Sequence, residues 1–110
     1  MAYQVQDHSK INMNQLDEFE LFCLYHLGLV GTQAGIPLNL NQIAARLQVS
    51  LDDLDNFLKS AQLDPESVLS SGFDLVGAQM DIQLAPQEIH LESVAKHHFE
   101  DFRKKQNKTG

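Results

Sequence analysis

The sequence has few residues of several types, and each shortage excludes a class of protein or a structural feature. Its single cysteine, Cys23, excludes a disulfide within the chain, and tryptophan is missing altogether. No apolar run is long enough to span a bilayer, and residues 1–10 lack the apolar stretch of a signal peptide. We therefore expect a soluble cytoplasmic protein in which Cys23 is a buried, inert thiol.

Basic residues are scarce, and they are scarcest in the middle of the chain. The 110 residues include 8 Lys and Arg against 15 Asp and Glu, which gives a formal net charge of −7. Between residues 51 and 86 Lys59 is the one cation, and the other ionised groups there are carboxylates. Such an acidic block repels phosphate backbones and suits basic protein partners.

Length and composition are those of one small domain. A hydrophobic content of 43% is enough for a core, and 110 residues is an ordinary domain size. We expect a flexible arm over residues 1–12, a domain over residues 13–105 and a flexible tail over residues 106–110. No internal repeat or low-complexity tract is visible.

A first helix is predicted from Asn14, as its N-cap, to the glycines that begin at Gly28. Its apolar residues cover more than one face, so the helix is either central in the domain or partly in contact with another subunit. A last helix is predicted from Pro86 to about Lys105, and its stripe includes Phe99 and Phe102. These apolar surfaces make a homodimer one of the alternatives.

Residues 39–61 have the pattern of two short helices joined by a tight turn. Asn39 and Gln42 form a capping-box pattern, and Ser50 is the expected N-cap of the second helix. Asp64 followed by Pro65 marks the start of a further short helix.

Residues 73–84 are predicted to form a β-hairpin. A two-residue turn at Gly77 and Ala78 would place Leu75 opposite Met80, and Phe73 opposite Ile82, on one face. The same register places Asp74 opposite Asp81 on the outer face. The main alternative is a helix, which Gly77 disfavours without excluding it.

The order helix, helix-turn-helix, hairpin, helix resembles the winged helix-turn-helix superfamily of small bacterial regulators, over roughly residues 13–102. The closest resemblance lies in the inward positions of the bihelical unit, namely Ile43, Ala44, Leu47, Val49, Leu54 and Phe57. It implies a mostly α (α+β) fold with about four to five helices and a small β-hairpin. The sequence departs from the family at Gln48, where glycine is usual, and in the extra segment 64–71.

The resemblance implies that the second helix would enter a DNA major groove. Asn56 could then read adenine, and Lys59 could contact a phosphate or a guanine. However, Asp52 and Asp55 would face the duplex, and the wing would offer Asp74 and Asp81 where the family usually has Lys or Arg. Duplex DNA is therefore a partner that charge disfavours.

The function predicted from sequence is a non-enzymatic protein-interaction or regulatory module with an acidic recognition face and a basic protein partner. A DNA-binding transcription regulator is the alternative. The predicted partner-binding residues are Asp52, Asp55, Asn56, Lys59, Asp74 and Asp81.

We expect no cofactor, no metal and no catalytic residue. His97 and Asp101 have the i,i+4 spacing that can hold a divalent ion, and a metal-responsive protein is the weakest of the three readings. The sequence contains no HExxH or CxxC framework, and its adjacent carboxylates Asp52 and Asp53 are not placed for acid–base catalysis.

Overall fold

The chain folds mainly into helices, as a computed structural model that describes residues 16–109 shows. The elements, in chain order, are α1 (Glu18–Leu21), which continues directly as a π-helical segment (Phe22–Leu27), β1 (Leu29–Val30), β2 (Gln33–Ala34), α2 (Leu40–Leu47), α3 (Leu51–Ser60), α4 (Pro65–Ser70), α5 (Leu75–Leu84) and α6 (Leu91–Thr109). Within the described range, no helix is both long enough and apolar enough to cross a membrane. The predicted mostly helical fold with a small hairpin is confirmed at this coarse level.

The first helix begins where Asp17 caps it. The Asp17 carboxylate accepts a hydrogen bond from the backbone N–H of Glu20 at 2.8 Å, and the N-cap predicted at Asn14 lies outside the described residues. The π-helical segment ends at Gly28, whose N–H donates to the carbonyl of Cys23, five residues earlier, at 2.9 Å. Gly28 has φ +78°, and a Cβ there would lie 2.6 Å from the carbonyl oxygen of Gly35, so this position requires glycine.

The two-helix unit confirms the sequence prediction in detail. Asn39 and Gln42 form the reciprocal capping box, with hydrogen bonds of 2.9 and 2.8 Å. The Ser50 hydroxyl accepts from the Asp53 N–H at 3.0 Å and so caps α3. Gln48, in the turn between the two helices, adopts the left-handed conformation with φ 59°. Helix α4 also starts as predicted, with Asp64 as N-cap followed by Pro65.

The hairpin predicted over residues 73–84 is wrong, because this stretch forms helix α5. The Asp74 carboxylate caps the helix by accepting from the Gly77 N–H at 3.0 Å. A Cβ on Gly77 would lie 2.3 Å from Oδ2 of Asp74, so the glycine makes room for the cap and does not form a turn. Ala78 and Ile82 are buried on the inner side of α5. Asp74 and Asp81 therefore do not lie on a wing.

The hairpin of the structure lies earlier in the chain. Strands β1 and β2 are antiparallel, with Leu29 paired with Ala34 and Val30 paired with Gln33. It precedes the two-helix unit, whereas the expected wing follows it. In the sequence, the glycines that begin at Gly28 end the predicted first helix, and two-residue strands are too short to show an alternating pattern.

Helix α6 extends further than predicted. It continues to Thr109, so residues 106–109 are helical. The Gln106 side chain donates to the carbonyl of Gln62 at 2.8 Å, which holds this end of α6 against the end of α3.

Aromatic rings fill the centre of the core. Phe22, on the π-helical segment, is completely buried, and its ring centroid lies 5.2 Å from that of Phe102 and 5.8 Å from that of Phe73. Phe99 approaches the same ring at 5.2 Å. Rings in such contact contribute about 0.5–1.5 kcal/mol per pair beyond the area they bury. The first helix is thus central in the domain, and Phe99 and Phe102 of α6 pack against it.

Candidate protein interface

Helix α3 is the exposed arm of the two-helix unit. It packs on α2 through Leu54 and Leu58, which are buried. Asp52 and Asn56 are exposed on the opposite side, as predicted, and Asp55 is half-buried. The helix therefore presents a polar face to solvent on a rigid apolar support.

The charge of this face is negative because its aspartates, Asp52, Asp53 and Asp55, outnumber its one cation. Nζ of Lys59 lies 3.0 Å from Oδ2 of Asp55, and the two side chains are 65% and 44% exposed. An exposed pair with this i,i+4 spacing stabilises a helix by only about 0.3–0.5 kcal/mol. Asp52 and Asp53, in the first turn, also interact favourably with the helix dipole. The face retains an excess of carboxylates after Lys59 is counted.

Tyr25 lies within electrostatic range of the same face. Burial raises the pKa of Tyr25, and the charges of Asp55 and then Asp64 raise it further. Such an effect requires proximity, so the π-helical segment brings the half-buried phenol close to carboxylates of two other elements. In the sequence, Tyr25 is one of the residues that spread over several faces of the predicted first helix. A tyrosine on a helix that is apolar on most sides was the available signal.

Asp74 and Asp81 do not join the α3 residues. They lie on α5, which packs on the π-helical segment and on α6, whereas α3 packs mainly on α2. Asp74 is used as an N-cap, and Oδ2 of Asp81 lies 2.8 Å from Nε2 of His98. The six predicted residues therefore form two groups on different helices. We call Asp52, Asp55, Asn56 and Lys59 the α3 surface.

Two histidines of the described residues, His26 and His98, make structural hydrogen bonds. His26 is buried, and its Nε2 lies 2.6 Å from the carbonyl oxygen of Leu63. Burial lowers the pKa of His26, while the Leu63 hydrogen bond and the charge of Asp64 partly oppose that shift. His98 pairs with Asp81. Across residues 16–109, no three His, Cys, Asp or Glu side chains are grouped so as to hold a metal ion.

Cys23 lies in an environment that suppresses thiol reactivity. It is buried, as predicted, at the wall of an open hollow of about 410 Å³ that Glu92, Asp17 and Glu20 also line. Burial, followed by the charges of these three carboxylates, raises the pKa of Cys23 from 9.0 to about 12. Since the thiolate is the nucleophile, this arrangement opposes covalent catalysis.

Arg103 is used within the fold. Its Nη1 donates to the carbonyl of Ala61 at 2.9 Å, its Nη2 pairs with Glu18, and its guanidinium lies 5.1 Å from the Phe99 ring centroid. The guanidinium thus ties α6 to α1 and to the end of α3. It is not presented on the α3 surface as a phosphate ligand.

Comparison with protein-family models, with curated proteins and with solved structures finds no match to this chain.

Proposed function

We propose that this protein is a non-enzymatic protein-interaction or regulatory module that binds a basic protein partner through the α3 surface. One observation carries the proposal. This exposed helix carries three aspartates against one lysine, so the face as a whole is negative. That lysine is itself paired with an aspartate of the same helix at 3.0 Å. A negative face with little competing cation steers a basic partner and raises its rate of association.

Tyr25 supports the proposal as an apolar anchor beside the charged face. Its ring contacts the core while its hydroxyl lies close enough to Asp55 and Asp64 for their charges to raise its pKa. Tyrosine combines an apolar ring with a polar end and is enriched among the residues that dominate binding energy. The carboxylates would provide orientation, and the ring would provide buried area.

We restrict the proposed kinship with winged helix-turn-helix regulators to the two-helix unit, α2 and α3. Its caps, its turn and its exposed second helix support that kinship, whereas a helix occupies the place expected for a wing. DNA binding by the same helix would set Asp52 and Asp55 against phosphates. Duplex DNA is therefore the competing outcome in the test.

The test begins with selection of peptide ligands from a random library on the whole protein. The selected peptides should be rich in Lys and Arg, and their affinity should fall as salt rises. The double variant Asp52→Lys, Asp55→Lys should bind them about tenfold more weakly or worse. The matched control Glu20→Lys, Glu100→Lys changes charge equally at two exposed positions outside the α3 surface and should retain most of the affinity. Circular dichroism should be the same for all three proteins.

Two results would overturn the proposal. One is equal loss of affinity in the two double variants, which would show that only net charge matters. The other is a shift of a pool of DNA duplexes by the wild-type protein at low salt, with affinity that falls steeply as salt rises.

A further inference from the structure

Helix α5 exposes a stripe of large apolar side chains that the other described residues, 16–109, leave uncovered. Val76, Met80 and Leu84 follow one another at intervals of four residues and are 65%, 52% and 72% exposed. The opposite side of α5 is buried through Ala78 and Ile82. A helix that is apolar on both sides is normally covered on both sides, and exposed apolar patches on soluble domains mark interaction sites. We call Val76, Met80 and Leu84 the α5 stripe.

Two hollows adjoin the C-terminal half of the α5 stripe. One, of about 480 Å³, is lined by Met80, Leu84 and Val94. The other, of about 590 Å³, lies between the hairpin and the segment that leads into α6, where Ile89 contributes to its wall. Ala85 and Pro86 line both hollows. An apolar ridge with hollows beside it can interdigitate with the side chains of a second helix.

The polar side chains of α5 hold it in place. The Gln79 amide donates to the carbonyl of His26 at 2.6 Å, and the Gln83 amide donates to the carbonyl of Gly35 at 3.3 Å. Asp81 is held by His98. The α5 stripe therefore projects from a backbone anchored at three points, which lowers the entropic cost of binding a partner there.

Charge indicates what occupies the stripe. Among the residues that line the two hollows, Asp81 is the one ionised group, and Asp74 and Glu88 flank the stripe in the sequence. The sequence has no Lys or Arg between Lys59 and Lys96. A second copy would bring together two such faces on chains with a formal net charge of −7 each. A cationic partner would instead meet complementary charge.

We propose that the α5 stripe binds an amphipathic helix of another protein, with apolar residues along one face and Lys or Arg beside them. Helix α5 has 10 residues, so it is about 15 Å long and can accommodate about three turns of such a helix. This site goes beyond the α3 surface and does not depend on it. The two surfaces lie on different helices and are tested with different variants.

The probe is a synthetic helical peptide with a leucine stripe at i, i+3, i+4 and i+7 and lysines beside it, titrated into the whole protein. The matched pair of variants is Leu84→Asn and Leu69→Asn, because Leu69 on α4 is 73% exposed and Leu84 is 72% exposed. Leu84→Asn should weaken binding about tenfold, and Leu69→Asn should leave the affinity unchanged. Met80→Gln should also weaken binding. Because Met80 lies one turn before the end of α5, this result would show that the effect of Leu84→Asn is not caused by a disturbed helix end.

Each alternative result would overturn the proposal. Equal affinity of the Leu84→Asn and Leu69→Asn variants would exclude the stripe as the binding site. A peptide with Glu in place of Lys that binds as tightly as the original would contradict the charge argument. A dimer seen by light scattering in the wild type and lost in Met80→Gln would assign the stripe to a second copy. The Asp52→Lys, Asp55→Lys variant keeps the α5 stripe and should still bind this peptide. Adding Leu84→Asn to that variant should weaken the binding, whatever the outcome at the α3 surface.

Discussion

Nε2 of His26 lies 2.6 Å from the carbonyl oxygen of Leu63 and connects the π-helical segment to the turn between α3 and α4. A carbonyl only accepts, so the ring nitrogen carries the hydrogen and donates it. The backbone carbonyl of His26 accepts in turn from Gln79 of α5 at 2.6 Å. One buried residue thus joins the side of the molecule that carries the α3 surface to the helix that carries the α5 stripe.

Acidification should destabilise the fold through His26. Burial lowers the pKa of His26 in the folded chain, while the unfolded value is about 6.5. The unfolded state therefore takes up the proton more readily. The stabilising contribution of neutral His26 is complete above about pH 6.5 and is lost as the pH falls from there through the lowered folded pKa.

Urea unfolding from pH 8 to pH 5 measures this effect. The stability advantage of the wild type over His26→Gln should shrink as the pH falls, whereas the difference between the wild type and His90→Gln, at an exposed position, should change little. A constant difference between the wild type and His26→Gln would contradict the assignment.

Gly77→Ala should not give the gain in stability that replacing glycine by alanine usually gives in a helix. Alanine favours a helix by about 1 kcal/mol over glycine, but its Cβ would displace the Asp74 carboxylate from its cap. Losing such a cap costs about 0.5–2 kcal/mol. We therefore expect Gly77→Ala to be neutral or destabilising in the wild type and stabilising by about 1 kcal/mol in an Asp74→Ala background. Additive effects in this double-mutant cycle would show that the two positions are not coupled.

The helix boundaries set by local chemistry could be predicted from the sequence, and the position of the hairpin could not. Asn39, Ser50 and Asp64 cap the helices they were predicted to cap, because a short polar side chain satisfies the first N–H groups locally. Residues 73–84 were misassigned because α5 is apolar on both sides. Such a helix has no single polar face, so its pattern also fits alternating strands.

Only the α3 part of the candidate site could be predicted from the sequence. The outward residues of α3 follow from helical periodicity, and they are where the periodicity placed them. The positions of Asp74 and Asp81 depended on the hairpin and failed with it. The approach of Tyr25 to Asp55 and Asp64 joins residues far apart in the chain, and a periodic pattern carries no information about such contacts.

Arg103 should not be replaceable by lysine. Its guanidinium contacts Ala61, Glu18 and the Phe99 ring at once, and a single ammonium group cannot reproduce that planar geometry. Arg103→Lys should reduce the free energy of unfolding by about 1–3 kcal/mol. The charge-conserving control Lys104→Arg, at an exposed neighbouring position, should change it by less than about 0.5 kcal/mol. Chemical denaturation measures both, and equal effects would refute the special role of the guanidinium.

The pKa of Tyr25 reports the geometry of the α3 surface. Burial is the largest cause of its raised pKa, and the charge of Asp55 comes next. Asp55→Asn should lower the Tyr25 pKa toward its ordinary value while leaving it raised, because burial remains. Asp52→Asn removes the same charge from the same helix and should have little effect. Ultraviolet titration of the tyrosines gives the answer, and identical titration curves for the two variants would place Tyr25 elsewhere.

The central claim is that the exposed acidic face of α3 binds a basic protein surface. Its most direct test is amide shift mapping by NMR on the isotopically labelled protein, with the tightest basic peptide from the library as ligand. We predict that the largest shifts fall within Leu51–Ser60 and at Tyr25, and that an equimolar DNA duplex leaves these amides unchanged. Peptide-induced shifts that bypass α3, or α3 shifts that appear with the duplex, would contradict the claim.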